Sequence, residues 1–323
     1  MQIKGFFSNR SALFQSGILL YFVLIGVLLN SAAGYLIINI SGFLSDNRPA
    51  SLLEIPFYTR LTLQFFSAIL IFILPAICTA FFCSKEPAEF IYIKRSVDIR
   101  ILLLAIAMFL FIYPLIGIAS DLNSKIEIPE FFPSISEYMR KADYRAAKTT
   151  ETLLSEKGII PFITSILIMG VMAGVTEEFL FRGALLSIIR KKVKNPHAAI
   201  WIVAIIFSII HFQFSGFLPR ILSGAFLGYL LFWTRNIWVP VFIHFLHNTI
   251  FIITYKAGIY QLSDNSAVFT RTGTSTNELN VSEMPTIAII AVVVIIVIIT
   301  VIAVALFALC VKKMKKIAQE NSV

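Results

Sequence analysis

Long apolar runs alternate along this chain with polar segments, many of them basic. A spanning helix needs about 20 predominantly apolar residues. Eight runs qualify, at about Ser16–Ile40, Leu61–Cys83, Ile99–Ala119, Ile159–Ile189, His197–Phe212, Phe217–Thr234, Ile237–Tyr255 and Thr286–Cys310. The pattern predicts an all-α fold, a polytopic membrane helix bundle of about eight transmembrane helices. The first run, with Ala32 and Ala33 as candidate cleavage-site residues, could also be read as a signal peptide. Its apolar core is long for that, so an uncleaved anchor is expected.

Three regions follow. Residues 1–158 hold N-terminal membrane helices and an outer linker. Residues 159–255 hold a helix core that carries the chemistry discussed below. Residues 256–323 hold an outer loop, the last helix and a basic tail. The segment Asp121–Gly158 mixes charges with Tyr138, Met139 and Tyr144. It reads equally as an interfacial helix or cap and as a solvated linker. Lys256–Pro285, rich in Ser, Thr and Asn, reads as an exposed loop.

Composition agrees with the pattern. Of 323 residues, 58% are apolar and 14% charged, where a soluble domain carries about 25% charged residues. With a mean hydropathy of +0.86, the chain could not hide its apolar surface in water, which excludes a soluble enzyme, a disordered chain and a fibrous protein. The net charge of +9 sits in knots beside apolar runs, Arg190–Lys194 and Lys312–Lys316 above all. Such knots are membrane flanks rather than a nucleic-acid surface, so the expected partner is the lipid bilayer and not nucleic acid. Placing Lys4 and Arg10 in the cytoplasm puts Lys85, Lys94, Arg95, Arg100, Arg190–Lys194, Arg235 and the lysine tail there as well. The expectation is a multi-pass protein of the cell membrane with both termini cytoplasmic. Cys78, Cys83 and Cys310 lie in or beside apolar runs without a CxxC, so neither a disulfide framework nor a thiolate metal site is expected.

Ionisable groups inside a bilayer cost roughly 2.5–3.5 kcal/mol each or more, and mark function by default. The fourth, fifth and seventh runs stand apart in this respect. The fourth carries Glu177, Glu178 and Arg182. Glu178 and Arg182 are four apart and can pair on one helix face, while Glu177 is turned about 100° away. The fifth carries His211, and the seventh carries His244 and Asn248, again four apart, with His247 between them. An ion-pair network that only holds helices together would account for Glu178 and Arg182. A hydrogen-bonded core imidazole would account for a lone His211.

Taken together, a carboxylate, two imidazoles and an amide in three apolar helices are equipment for hydrolysing a peptide bond. Glu177 with His211 could activate water, and His244 with Asn248 could receive the oxyanion. Glu177, His211 and His244 could equally be three ligands for zinc with an open fourth position. No HExxH or GxSxG occurs.

At these residues the chain resembles the CPBP intramembrane proteases, the CAAX-protease and bacteriocin-processing family. Its motifs EExxxR, FxxxH and HxxxN read here as Glu177-Glu178-Phe-Leu-Phe-Arg182, Phe207-Ser-Ile-Ile-His211 and His244-Phe-Leu-His-Asn248, in order. The resemblance covers about Ile159–Tyr255. It implies an intramembrane endopeptidase of the kind that includes type II CAAX prenyl endopeptidases, acting on a protein or peptide in or at the membrane. It assigns water activation to Glu177 and His211, and oxyanion stabilisation to His244 and Asn248. Glu178 and Arg182 are supporting residues, and the resemblance leaves open a metal or a metal-free glutamate route. A non-catalytic scaffold and an ion-coupled transporter are the rival readings.

Depth gives one internal conflict. At about 1.5 Å per residue, Glu177 lies roughly 20 Å from Arg190 and His211 roughly 24 Å from Asn195. His244 lies only roughly 9 Å from Trp238. Either the seventh helix starts deeper than the others, or its boundary is displaced by a turn.

Overall fold

The computed structural model describes residues 3–44, 55–93, 96–126, 133–262, 269–271 and 286–320. Lys94 and Arg95, residues 127–132 of the outer segment, and most of the expected loop before the last helix lie outside the described residues.

The chain forms a helical bundle. In order it runs through α1 (Ala12–Leu44), α2 (Phe57–Cys83), α3 (Ile99–Ser124), α4 (Pro133–Leu154), α5 (Ile159–Lys192), α6 (Pro196–Ile209), α7 (Phe217–Thr234), α8 (Trp238–Lys256) and α9 (Thr286–Glu320). A short antiparallel ribbon, β1 (Tyr260–Leu262) with β2 (Phe269–Arg271), pairs Tyr260 with Arg271. Six of the described helices are long and apolar enough to cross a membrane: α1, α2, α3, α5, α7 and α8. α6 has 14 residues, about 21 Å of axial rise, which falls short of a bilayer's roughly 30 Å hydrocarbon core. The fifth apolar run is thus a short helix followed by a turn, because Gln213, Ser215 and Gly216 break the apolar pattern after His211.

Local chemistry sets the helix limits. Asp98 caps α3 by accepting from Arg100 N at 2.8 Å. Asn195 caps α6 by accepting from His197 N at 2.9 Å, with Pro196 at the first helical position. Both arrangements satisfy amides that a helix start leaves open. α7 ends where Arg235 takes a left-handed φ of 52°. Helix α5 contains two π-helical stretches, Ile166–Met172 and Phe179–Leu185, on either side of Glu177 and Glu178. Such widened turns re-aim side chains and break the regular carbonyl ladder.

Large apolar side chains face outward along these helices, Leu13, Leu28, Leu103 and Ile159 among them. In water this would be a very large exposed apolar surface; around a membrane bundle it is the lipid-facing shell. Inside lie two large apolar clusters, beside a small one of Phe57, Leu61 and Leu153. One joins Phe181, Ala184 and Ile188 of α5 to Ile200, Val203 and Phe207 of α6. The other joins Met108 and Phe109 of α3 to Leu227 and Leu230 of α7 and Ile243 of α8. The polar residues of the three motifs lie between the two.

The basic segments gather at one end of the bundle. Gly5 N and Phe7 N donate to Phe81 O and Phe82 O, each at 2.8 Å. Lys191 Nζ donates to Gln15 Oε1 at 2.6 Å, and Ser187 Oγ to Phe90 O at 2.7 Å. Lys315 Nζ stands 5.9 Å over the Trp233 ring. The depth conflict is resolved at this end. α8 does start at Trp238, but the turn before it is buried, with Asn236 and Ile237 at 4% and 0% exposure. Ile237 N donates to Tyr92 O, and Asn236 Nδ2 to Ser96 O. The segment between α2 and α3 covers the turn, so α8 begins inside the protein.

At the opposite end, the outer segment forms an amphipathic helix, α4, rather than a solvated linker. Its Asp143 accepts from Ser215 Oγ at 2.7 Å and Ser215 N at 3.2 Å.

Candidate active site

Close approach of α5 and α8 comes first in building the site. Gly170 and Gly174 are four apart on α5. A Cβ on Gly174 would lie 3.1 Å from both Phe245 N and Val241 O of α8, and one on Gly170 would lie 3.1 Å from Thr249 Oγ1. Glycines at this spacing let two helix backbones meet. The carboxylates one turn further along α5 then reach the first histidine of α8.

Glu178 Oε1 accepts two hydrogen bonds, from Arg182 Nη1 at 2.7 Å and from His244 Nδ1 at 2.8 Å. Arg182 Nη2 donates to Gly224 O of α7 at 3.0 Å, and its guanidinium lies 4.7 Å over the Phe207 ring of α6. Both charged residues are fully buried. One pair within α5 therefore fastens α6, α7 and α8 to it. Glu178 Oε2 and Arg182 Nε have no hydrogen-bond partner, so the network is not saturated.

Glu177 points elsewhere, as its 100° offset predicts. Its Oε2 lies 3.8 Å from His244 Nε2. His211 lies in the turn beyond α6, where its Nδ1 meets Phe207 O at 2.6 Å. A carbonyl only accepts, so this nitrogen carries the proton, and a neutral ring keeps Nε2 unprotonated. By the same reasoning the His244 Nδ1 proton goes to Glu178. Asn248 Nδ2 donates to Met169 O at 2.9 Å, a carbonyl within the first π-helical stretch of α5. Glu177, His211, His244 and Asn248 line one cavity of about 210 Å³, whose walls include Phe109, Phe207, Phe226 and Ile243. Glu178 and Arg182 stand behind it. His247, the extra histidine, also lines this cavity and packs edge-on against Phe109 and Tyr113, with ring centroids 5.9 Å apart in each case.

Glu177, His211 and His244, the three possible zinc ligands, all line this cavity. Among the described residues, no group of three or more His, Cys, Asp and Glu side chains is gathered closely enough to hold a metal ion. His244 spends Nδ1 on Glu178, and its Nε2 stands 3.8 Å from Glu177. As arranged the three form no such group, and the hydrolysis proposed for them runs through the side chains alone.

The sequence reading missed several residues. Arg220, in the first turn of α7, lines the same cavity. It donates to Gln213 Oε1 at 2.8 Å and Gln213 O at 3.3 Å. A lone arginine inside the sixth apolar run was the available signal. The turn that carries His211 is pinned from two sides, by Asp143 of α4 and by Asn123 of α3. Asn123 donates to Phe214 O at 2.7 Å and accepts from Leu218 N at 2.9 Å. These partners lie 72 to 95 positions apart, and no local pattern could have paired them. The glycine pair had a signal in its spacing.

Comparison with known proteins points to the same stretch. Residues 159–250 match the family model described as type II CAAX prenyl endopeptidase Rce1-like. The chain is 27% identical over 109 residues, 34% of its length, to the Bacillus subtilis (strain 168) protein named "Putative membrane peptidase YdiL". It is 31% identical over 93 residues, 28% of its length, to the "Uncharacterized protein YpbD" of the same strain. It covers 43% and 44% of those two relatives, less than half of each. No solved structure matches. Residues 159–250, which hold all three motifs, are thus similar to the Rce1-like family, within a multi-pass helical membrane protein.

Proposed function

We propose that this protein is an endopeptidase of the cell membrane that hydrolyses a peptide bond of a membrane-associated protein or peptide. The observation that carries the reading is the convergence of Glu177, His211, His244 and Asn248, from two helices and a turn, on one cavity. The Rce1-like match over the same residues supports a protease.

In this reading a water bound between Glu177 and His211 Nε2 attacks the substrate carbonyl. The water oxygen bonds to carbon, and one water proton passes to the Glu177 carboxylate. The oxyanion accepts from the second amide N–H of Asn248. Its other donor is His244, whose Nδ1 proton is committed to Glu178. His244 therefore donates through Nε2 as an imidazolium. The C–N bond then breaks, and the proton on Glu177 goes to the leaving amine. Fixed donors in a water-poor site stabilise such charge strongly.

The test compares protein N-termini by mass spectrometry in cells expressing the wild type and Glu177→Gln, with expression and thermal stability matched. The expected result is a set of N-termini present only with the wild type. Identical sets with equal folding would turn the assignment toward a scaffold or an ion-coupled transporter.

A further inference from the structure

Hydrolysis consumes water, and the substrate must reach Glu177, so the direction in which the cavity opens decides what the site can act on. Toward the basic end it is walled by Phe109, Phe207, Phe226, Leu227 and Ile243, each at most 5% exposed. Behind this wall lies the buried pair of Glu178 and Arg182. On the other side it adjoins a second cavity of about 480 Å³, and Arg220, His247 and Asn248 line both. The second cavity has a mixed lining, with polar side chains beside Ala146, Ala147, Met169 and Ile252. Its lining includes Ser120 near the end of α3, Asp143 and Thr150 of α4, Gln213 and Ser215 of the turn after α6, and Phe251 near the end of α8.

Helices α3, α6 and α8 start at the basic end and finish here, so the second cavity lies at the opposite end of the bundle. Lys and Arg accumulate on the cytoplasmic side of membrane proteins. The amphipathic helix α4, held by Asp143 to Ser215, covers this vestibule. The Arg220 guanidinium stands at the junction and donates to the neutral Gln213.

We propose that the vestibule under α4 is where the substrate binds before reaching Glu177, and that it opens on the face of the membrane away from the cytoplasm. The substrate class is then an exposed or juxtamembrane peptide segment on the outer face. A cytoplasmic protein carrying a lipid-modified C-terminus does not have access. This rests on the protease reading for the word substrate, whereas the direction of opening does not.

The experiment uses the full chain with Cys78, Cys83 and Cys310 replaced by alanine and one new cysteine, expressed in a bacterial plasma membrane. Thr150→Cys lies in the vestibule and Lys313→Cys at the basic end. A membrane-impermeant maleimide is added to intact spheroplasts, to permeabilised ones and to SDS-denatured samples. The expected result is labelling of Thr150→Cys in intact spheroplasts and of Lys313→Cys only after permeabilisation. Thr150→Cys that labels only after permeabilisation, or only in SDS, overturns the proposal. Labelling does not require cleavage, so loss of the Glu177-dependent N-termini and loss of the predicted orientation are separate outcomes. As a second readout, the Glu177-dependent N-termini are expected in outward-facing segments. Cleavage confined to cytoplasmic segments overturns the proposal even with the protease intact.

Discussion

The close approach of α5 and α8 can be broken at a residue that takes no part in the chemistry. In Gly174→Val, the new Cβ would stand 3.1 Å from both Phe245 N and Val241 O, where carbon contacts settle at about 3.5–4.0 Å. Both are backbone atoms, so no side chain can swing aside, and the two γ-methyls deepen the clash. Relief requires α8 to move away by roughly half an ångström or more. Overpacking of this kind costs about 1–3 kcal/mol. His244 is three residues from Val241 and moves with it, stretching its 2.8 Å bond to Glu178. A displacement of about 1 Å in a catalytic group lowers rate roughly 100-fold. The assay counts Glu177-dependent N-termini in cells and measures thermal unfolding of the purified protein in detergent. The control is Gly117→Val on α3, where an added Cβ meets nothing within 4 Å; it should leave both readouts near wild type. A Gly174→Val protein with wild-type stability and cleavage would refute the argument that this contact sets the site.

Three further expectations follow from the same geometry. Arg182→Met takes the guanidinium from buried Glu178, leaving it only His244, and should destabilise the protein by about 3–5 kcal/mol, whereas Arg182→Met combined with Glu178→Gln should recover part of that loss; additive losses in thermal unfolding would contradict the pairing. Purified protein treated with a strong chelator should keep its cleavage rate, and activity lost to the chelator and restored by zinc would refute the glutamate route. Asp143→Ala frees the turn that carries His211, so it should slow cleavage about as much as Ser215→Ala, with the double variant no worse than either; unchanged rates would show that the anchor is irrelevant to His211.

The sequence was informative where the physics is local. Apolar run lengths located the spanning helices to within a few residues, and Phe217–Thr234 matches to the residue. The i,i+4 pairing of Glu178 with Arg182 and the divergence of Glu177 follow from helical periodicity alone, and both are present. His211 was placed on a helix, because Phe207–Ile210 reads as a continuous helical run; only the polar residues after it stop the helix short. The direction of the His244 proton depends on Glu178, 66 positions away, and could not be read from either segment. The same holds for α4, where the choice between an interfacial cap and a solvated linker turns on the contact of Asp143 with Ser215.

The pairing of Glu178 with Arg182 within one helix also bears on how the protein is made. Helix α5 must leave the ribosome and partition into lipid carrying three ionisable side chains within its apolar stretch, each costing roughly 2.5–3.5 kcal/mol at mid-membrane. Two of them neutralise one another across a single turn, at 2.7 Å. Their partner His244 is synthesised 66 residues later. Insertion of α5 therefore does not have to wait for α8, and the nascent helix can enter the bilayer with only Glu177 uncompensated. Had the counter-charge been placed on α8 instead, the same finished network would have required α5 to be held at the translocon until its partner emerged.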